Sequence, residues 1–314
     1  LGWPRLAGRE PQQGLVRARC QQGLQVRQLG QGKRLPGLRR KPFCDVRLTG
    51  AQGGRHGRHS MPALPLPAFA DNYIWCLPDT AGHWLVVDPG QAAPVLAHAQ
   101  SAGRGPAAIL LTHHHDDHVG GVAGLLEHWP ATPVYGPRDP RLSMVTCPVD
   151  GGEVFSIVNW TVQVIDVQGH TNSHLAFVVD DHLFCGDALF SLGCGRMFEG
   201  TPARMLASLD RLANLPPHTL VCCGHEYTLA NAAFALAVEP DNRALQQRLK
   251  EAQAMRASHR PTLPSTIGSE LDCNPFLRTG AATIASAVAH LTGPAADRVA
   301  VFAALRSWKD GFTA

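Results

Sequence analysis

The sequence predicts an α/β domain followed by a smaller, wholly helical one, and three observations carry that expectation. Short apolar runs of strand length recur between residues 73 and 223. Several of these runs end in a Gly followed directly by His or Asp. Beyond Glu226 the apolar residues recur only at helical spacing. Strands and helices first, then helices alone, is the order expected when a helical domain is appended to a mixed one. A chain of 314 residues, 45% hydrophobic and 17% charged, can bury a sizeable core.

Taken in order, residues 1–60 stand apart. They carry thirteen Lys and Arg against Glu10 and Asp45, a net +11, with no sustained helix or strand period. Such a composition buries too little apolar surface to offset ordering entropy, so a disordered or non-native N-terminal extension is expected. A basic, acid-poor stretch also suits an organellar transit peptide or a nucleic-acid-binding tail. The remaining residues carry a net −8, which argues against nucleic acid as the partner of the folded part. No apolar run reaches the ~20 residues needed to cross a bilayer, so no membrane partner is expected. The nine cysteines show no disulfide-framework spacing, which favours a reducing, cytoplasmic setting. A monomer is expected.

From Met61 the texture changes. Tyr73–Leu77 and His83–Val87 read as strands around a Pro-Asp-Thr-Ala-Gly turn, and Ala107–Leu111 as another; Val119–His128 reads as a helix. Thr161–Asp166 alternates at the strand period, and Leu175–Val179 with His182–Cys185 forms a hairpin about Asp180-Asp181. Thr201-Pro202 supplies an N-cap and first position for a helix whose buried face is Met205, Leu206, Leu209 and Leu212. Leu220–Cys223 is a last strand; helices follow over Ala230–Val238, Asp241–Ser258, Ala281–Leu291 and Ala295–Trp308. The domains expected are therefore 61–228 and 229–314.

The chemical centre is the run Thr112-His113-His114-His115-Asp116-Asp117-His118. Imidazole and carboxylate are ligands for zinc, iron or manganese. In an extended loop alternate side chains share a side, so His113 and His115 can converge on one ion. Asp117 continues that alternation and His118 begins the next turn, so both can address a second ion. His114 and Asp116 face away, into supporting roles. Three strand ends repeat one device, Gly169-His170, Gly186-Asp187 and Gly224-His225, where glycine lets the backbone turn sharply and aim the next side chain at a common point. One site would then be His113, His115 and His170, the other Asp117, His118 and His225, with Asp187 bridging. The other histidines, His174 and His182 among them, read as surface or hydrogen-bonded structural residues.

Thr112–Gly121 (THHHDDHVGG) resembles the THxHxDHxGG signature of the metallo-β-lactamase superfamily, and within it the hydroxyacylglutathione hydrolase (glyoxalase II) family. The likeness extends through Ala68–Trp75, Gly186–Phe190, Gly193–Arg196, Gly224–Thr228, Pro264–Thr266 and Asn274–Arg278. The resemblance implies an αββα sandwich with a C-terminal α-helical, glutathione-binding domain. It implies two divalent metal ions per chain, zinc first, with iron or manganese accepting the same ligands. It assigns the ions to the two sites above, with Asp117 and Asp187 also orienting the nucleophile. The implied partner is a glutathione thioester, S-D-lactoylglutathione, hydrolysed to glutathione and D-lactate in the detoxification of methylglyoxal. Arg196, Tyr227, Arg306 and Lys309 are the implied glutathione contacts. Arg196 stands where relatives often have Lys and keeps the charge; Phe198 stands where they often have Tyr and lacks a hydroxyl. Three alternatives share parts of these features: a single-iron glutathione persulfide dioxygenase, a β-lactamase or lactonase, and a basic-tailed nucleic-acid-binding protein.

Overall fold

Alternation along three fully buried strands separates two cores, and from that the layering follows. The computed structural model describes residues 61–293 and 296–313. The basic segment 1–60, with every reading placed on it, and the expected helix start at Ala295 lie outside the described residues. The first half holds β1 (Leu64–Ala68), β2 (Asn72–Pro78), β3 (Trp84–Val87), α1 (Ala92–Ala102), β4 (Ala108–Leu110), α2 (Asp116–Val119), α3 (Val122–His128), β5 (Val134–Pro137) and β6 (Cys147–Val149). The six strands form one sheet in chain order. β1, β2 and β3 pair antiparallel, and β3 to β6 pair parallel. Parallel neighbours need crossovers, which α1 and the α2–α3 pair supply.

Trp75, Leu77, Leu85, Val87 and Leu110 point to one face of this sheet, and Ile74, Cys76, Trp84, Val86, Ile109 and Leu111 to the other. The second set packs on Val95, Ala99, Val122 and Leu125 of α1 and α3. The first set meets the second half of the domain: β7 (Val154–Ile157), β8 (Trp160–Asp166), β9 (Leu175–Val179), β10 (His182–Gly186), the ribbon β11 (Leu189–Phe190) with β12 (Gly193–Cys194), α4 (Pro202–Ala213) and β13 (Leu220–Cys223). Then come α5 (Thr228–Val238), α6 (Arg243–Ala257), β14 (Ser265–Thr266), α7 (Ile267–Cys273), α8 (Ala282–Thr292) and α9 (Arg298–Asp310).

The second sheet runs β14-β13-β10-β9-β8-β7. Val162, Val164, Phe177, Val179 and Leu183 join Trp75 and its neighbours in one continuous core. Trp75 also donates its indole N–H across the interface to the Cys223 carbonyl at 2.9 Å. The buried face of α4 is the predicted one, and Thr201 caps it by accepting from the Arg204 amide. Asp180, at φ 51°, takes the left-handed conformation that a two-residue hairpin between β9 and β10 asks of it. These layers are the expected αββα sandwich with α5–α9 added. The added helices share an aromatic centre in which Phe276 lies 5.9 Å from Phe234 and 5.8 Å from Phe302. Truncating so buried a ring costs about 3–5 kcal/mol.

Four expectations change. The segment beyond Glu226 is not wholly helical, because β14 pairs antiparallel with β13 at the edge of the second sheet. The helix expected from Ala295 runs from Arg298, where Asp297 caps it by accepting from the Ala300 amide at 2.8 Å. The single helix over Val119–His128 is broken at Gly120-Gly121, because a side chain at Gly121 would meet the Gln91–Ala92 backbone at 2.4 Å. The helix expected from Asp241 begins after Asn242, whose side chain accepts from the Leu245 amide at 3.1 Å.

Candidate metal centre

Every strand that leads to this site stops at the same edge of the sandwich. His113 and His115 follow β4, His170 lies in the β8–β9 loop, Asp187 follows β10, and His225 follows β13. The turn before β2 is zipped to the last of these loops: Tyr73 donates to the Gly224 carbonyl at 2.8 Å, and Glu226 to that of Asp71 at 2.8 Å. Glycine is required at two of the strand ends. Gly186 has φ 47°, and a Cβ there would lie 2.3 Å from Thr112 Oγ1. A Cβ on Gly224 would lie 2.7 Å from Asp187 Oδ1 and 2.8 Å from His118 Cε1.

All seven predicted ligands converge. His115 Nδ1 lies 3.1 Å from His113 Nε2 and 3.0 Å from His170 Nε2. His118 Nε2 lies 3.3 Å from Asp187 Oδ1 and 3.5 Å from Asp117 Oδ2. His225 Nε2 is 3.4 Å from Asp117 Oδ2 and 3.4 Å from Asp187 Oδ2, and the same Asp187 oxygen is 3.6 Å from His170 Nε2. Asp187 therefore touches both groups of ligands. Donors held about 2.0–2.1 Å from a tetrahedral cation stand roughly 3.3 Å apart, the spacing seen here.

On four of the five histidines the ring nitrogen facing the centre is free to act as a lone-pair donor, because the opposite nitrogen is engaged. His170 Nδ1 donates to the Arg196 carbonyl at 2.8 Å, and His225 Nδ1 to Asp71 at 2.9 Å. His118 Nδ1 donates to Asp88 at 2.9 Å, and His113 Nδ1 to Thr112 Oγ1 at 2.9 Å. Thr112 Oγ1 in turn donates to Asp88 at 2.7 Å, and the Thr112 amide to the same carboxylate at 2.8 Å. Asp88 thus braces two ligands from behind. Metal-ligating histidines depend on such partners for tautomer and orientation.

Electrostatics divides the site in two. Burial, with help from neighbouring rings, holds His113 and His115 below the usual imidazole range. Burial does the same to His170. These three are neutral ligands in waiting. Burial opposes charge on His118 and His225 as well, yet Asp187 and Asp88 push His118 well up, and Asp117, Asp187 and Asp71 push His225 up to about 10. The carboxylates demand positive charge at the point where they meet. His118 Nε2 and Asp187 Oδ1 are also buried without a hydrogen-bond partner. Three neutral imidazoles, a carboxylate pair calling for a cation and two orphaned buried donors fit divalent metal, and the site binds it.

His114 and Asp116 face away as expected, His114 resting 3.8 Å from both Asp139 and Glu199. The residues that sequence reasoning missed are Asp88, Asp71, Asn72 and Thr112 as supports. Asp88 did carry a signal: it ends a strand and precedes Pro89-Gly90, much as the ligands themselves follow strand ends. His174 is a hydrogen-bonded structural residue, stacked 4.6 Å from His113 and accepting from the Asp187 amide at 3.2 Å.

Of the four glutathione candidates, Tyr227 and Arg196 adjoin this centre directly. Tyr227 stacks on His225 with centroids 4.7 Å apart. Arg196 is 61% exposed and pairs with Asp310 at 3.3 Å. Lys309 lies over the rings of Phe234 and Phe312 and donates to the Ala230 carbonyl at 3.3 Å. Burial, then Arg306 and Arg196, lowers its pKa, so this corner is crowded with positive charge. Arg306 is buried and already engaged, donating to the Cys194 carbonyl at 2.8 Å and to Asp310 at 3.0 Å. Phe198, 63% exposed, overhangs the rings of His115 and His170 at 5.6 and 5.2 Å.

The family model for the metallo-beta-lactamase superfamily matches residues 73–145 and 148–225, and that for the hydroxyacylglutathione hydrolase C-terminus matches residues 226–312. Over 253 residues the chain is 58% identical to a hydroxyacylglutathione hydrolase of Xanthomonas euvesicatoria, covering 80% of this chain and 99% of that one. A hydroxyacylglutathione hydrolase of Xylella fastidiosa is 57% identical over 253 residues, covering 80% and 98%. Among solved structures, ETHE1 from Myxococcus xanthus is similar in fold, with a TM-score of 0.55 at 21% identity over 80% of this chain and 91% of that one. TTHA1623 in a di-iron-bound form gives 0.51 at 27% identity over 68% and 100%. With such identity across nearly the full length of its relatives, the chain belongs to the hydroxyacylglutathione hydrolase family of the metallo-β-lactamase superfamily.

Proposed function

We propose that this protein hydrolyses S-D-lactoylglutathione and related 2-hydroxyacyl-glutathione thioesters to glutathione and the free hydroxy acid, a reading supported by relatives named hydroxyacylglutathione hydrolase. Residues 61–228 form the catalytic domain and residues 229–314 the helical, glutathione-binding one. His113, His115 and His170 would hold one divalent ion, Asp117, His118 and His225 the other, with Asp187 shared. Zinc is the first choice, and iron and manganese fit the same donors. Bound there, the ions would supply Lewis acidity, acidifying water and polarising the thioester carbonyl.

The chain's own groups do the remainder. Asp117, steadied by the Asn72 amide at 2.9 Å, and Asp187 present carboxylate oxygens that orient an attacking water. Phe198 covers the His115–His170 side. Arg196 and Lys309 offer cations to the glutathione carboxylates, and Tyr227 a hydroxyl. Arg306 fixes the floor beneath them through Cys194 and Asp310. A thiolate leaves readily, so no strong general acid is needed.

The observation that carries this reading is a shared carboxylate between two ligand groups, set beside a cationic corner from the C-terminal helices. Identities of 57–58% with hydroxyacylglutathione hydrolases disfavour the persulfide dioxygenase alternative. The test is loss of the thioester of S-D-lactoylglutathione, followed before and after chelation. Metal-dependent hydrolysis is expected. No hydrolysis by the metal-loaded chain, with oxygen consumed on glutathione persulfide instead, would overturn it.

A further inference from the structure

The short ribbon β11–β12 follows Asp187 directly, and the C-terminal helices supply a dense set of its side-chain hydrogen bonds. It leaves Asp187 through Ala188 and returns at Gly195, whose backbone lies so close that a Cβ would be 1.9 Å from the Asp187 carbonyl oxygen. The next residue, Arg196, gives its carbonyl to His170 Nδ1 at 2.8 Å. Any shift of the ribbon therefore moves the backbone behind Asp187 and the acceptor behind His170 together.

Within the ribbon, Leu192 takes φ 61°, a left-handed turn that a β-branch-free side chain tolerates only under constraint. The constraint comes from α7. Glu270, fully buried, accepts from the Leu192 amide at 2.7 Å, from Asn274 Nδ2 at 3.0 Å and from Ser265 Oγ at 2.6 Å. Asn274 Nδ2 also donates to the Phe190 and Gly193 carbonyls at 3.1 and 2.9 Å. From α5, Asn231 donates to the Ser191 carbonyl at 3.0 Å and packs on Gly193; from α9, Arg306 holds Cys194.

A carboxylate buried without a cationic partner is a costly choice for a merely space-filling position. Its acceptors meet a strained amide and an amide side chain, that of Asn274, which reaches across both strands of the ribbon. We infer that Glu270, acting with Asn274 and Asn231, is a positioning residue: the helical domain clamps the ribbon and thereby sets Asp187 and His170 for metal. The helical domain then serves the metal centre as well as the thiol carrier. This rests on the metal assignment proposed above.

Three variants of the full-length metal-loaded protein test it. Glu270→Gln keeps the shape but removes the negative charge to which the Leu192 amide and Asn274 Nδ2 donate, leaving a weaker, neutral acceptor. Asn231→Ala removes one ribbon contact and is the milder change, deciding the matter if Glu270→Gln does not fold. Glu239→Gln is the control: Glu239 is a buried carboxylate of the same helical domain, held by Arg278, Thr283 and Asn242, with no contact to the ribbon. Metal affinity is read by chelator competition, ligand geometry by the absorption spectrum of the cobalt-substituted protein, and stability by thermal unfolding. Glu270→Gln is expected to weaken metal binding about 10–100-fold and to shift the cobalt spectrum. Asn231→Ala should do the same to a smaller degree, while Glu239→Gln lowers the melting temperature and leaves metal affinity within about twofold. Wild-type affinity in folded Glu270→Gln and Asn231→Ala, or an equal loss in Glu239→Gln, would overturn the inference. A wild-type protein that binds metal but fails to cleave the thioester would sink the proposed function and leave this test standing.

Discussion

Asp88→Asn is the sharpest perturbation of the centre that replaces no proposed ligand. Asp88 sits at φ 50°, a conformation that Asn also accepts, so the backbone is not put at risk. Its two oxygens accept from the Thr112 amide, the Thr112 hydroxyl and His118 Nδ1 at 2.7–2.9 Å. An amide can offer its oxygen to only one side. Facing one way, its NH2 confronts the Thr112 N–H; facing the other, it confronts the His118 Nδ1–H. His118 and Thr112 are buried, so no water relieves the clash. His118 can escape by moving its proton to Nε2, which withdraws the lone pair aimed at Asp117 and Asp187. Either orientation is expected to lower metal affinity about 10–100-fold, or roughly 1.4–2.7 kcal/mol. Chelator-competition titration of the folded variant measures it. An affinity within twofold of the wild type would refute the bracing role given to Asp88.

Other outcomes follow from the same geometry. Gly224→Ala forces a methyl to within 2.7 Å of Asp187 Oδ1, and should abolish binding at the Asp117–His118–His225 group while costing about 1–3 kcal/mol in the metal-free fold, read by metal analysis and thermal unfolding. Lys309→Met keeps the apolar stem over Phe234 and Phe312 but loses the charge; KM for the glutathione thioester should rise about tenfold with kcat within about twofold, and a thioester lacking the glutathione carboxylates should show no difference. Glu199 is drawn from 4.5 to about 2, first by Arg141 and then by the Asn172 amide. Its contribution is present above pH 4.5 and disappears as pH falls toward 2, so melting curves of the metal-free Glu199→Gln variant should depend less steeply on pH across that window. Identical slopes for variant and wild type would count against the Arg141 pairing.

Much of the site was legible because its chemistry is local. The alternation of His113 and His115 and the three Gly-ligand pairs required only strand ends and turns, and these side chains converge; Asp117, read as continuing the alternation, instead reaches the centre from the first turn of α2. The supports were harder, since what makes Asp88, Asp71 or Thr112 matter is a partner many residues away. The ribbon clamp was illegible for the same reason: Asn274-Pro275-Phe276 marked a family, but its bonds to Phe190 and Gly193 span more than 80 residues. In the fold, β2, β3, β9 and β10 announced themselves by apolar runs between turn residues. β1 did not, because Pro65 and Pro67 argue against a strand; an edge strand tolerates them. α1 hid behind Pro94 and an N-cap, Gln91, that makes no side-chain cap bond. β5, β6 and β14 are two to four residues long, too short for periodicity to register.

The account stands on one carboxylate, Asp187, being shared by two ions. Titrating metal-free protein with zinc while following turnover on S-D-lactoylglutathione tests this most directly, with Asp187→Ala alongside. Turnover should reach its plateau only at two equivalents, and Asp187→Ala should retain one ion with activity lowered by orders of magnitude. Full turnover at one equivalent, or an Asp187→Ala protein that binds two ions and turns over normally, would contradict it.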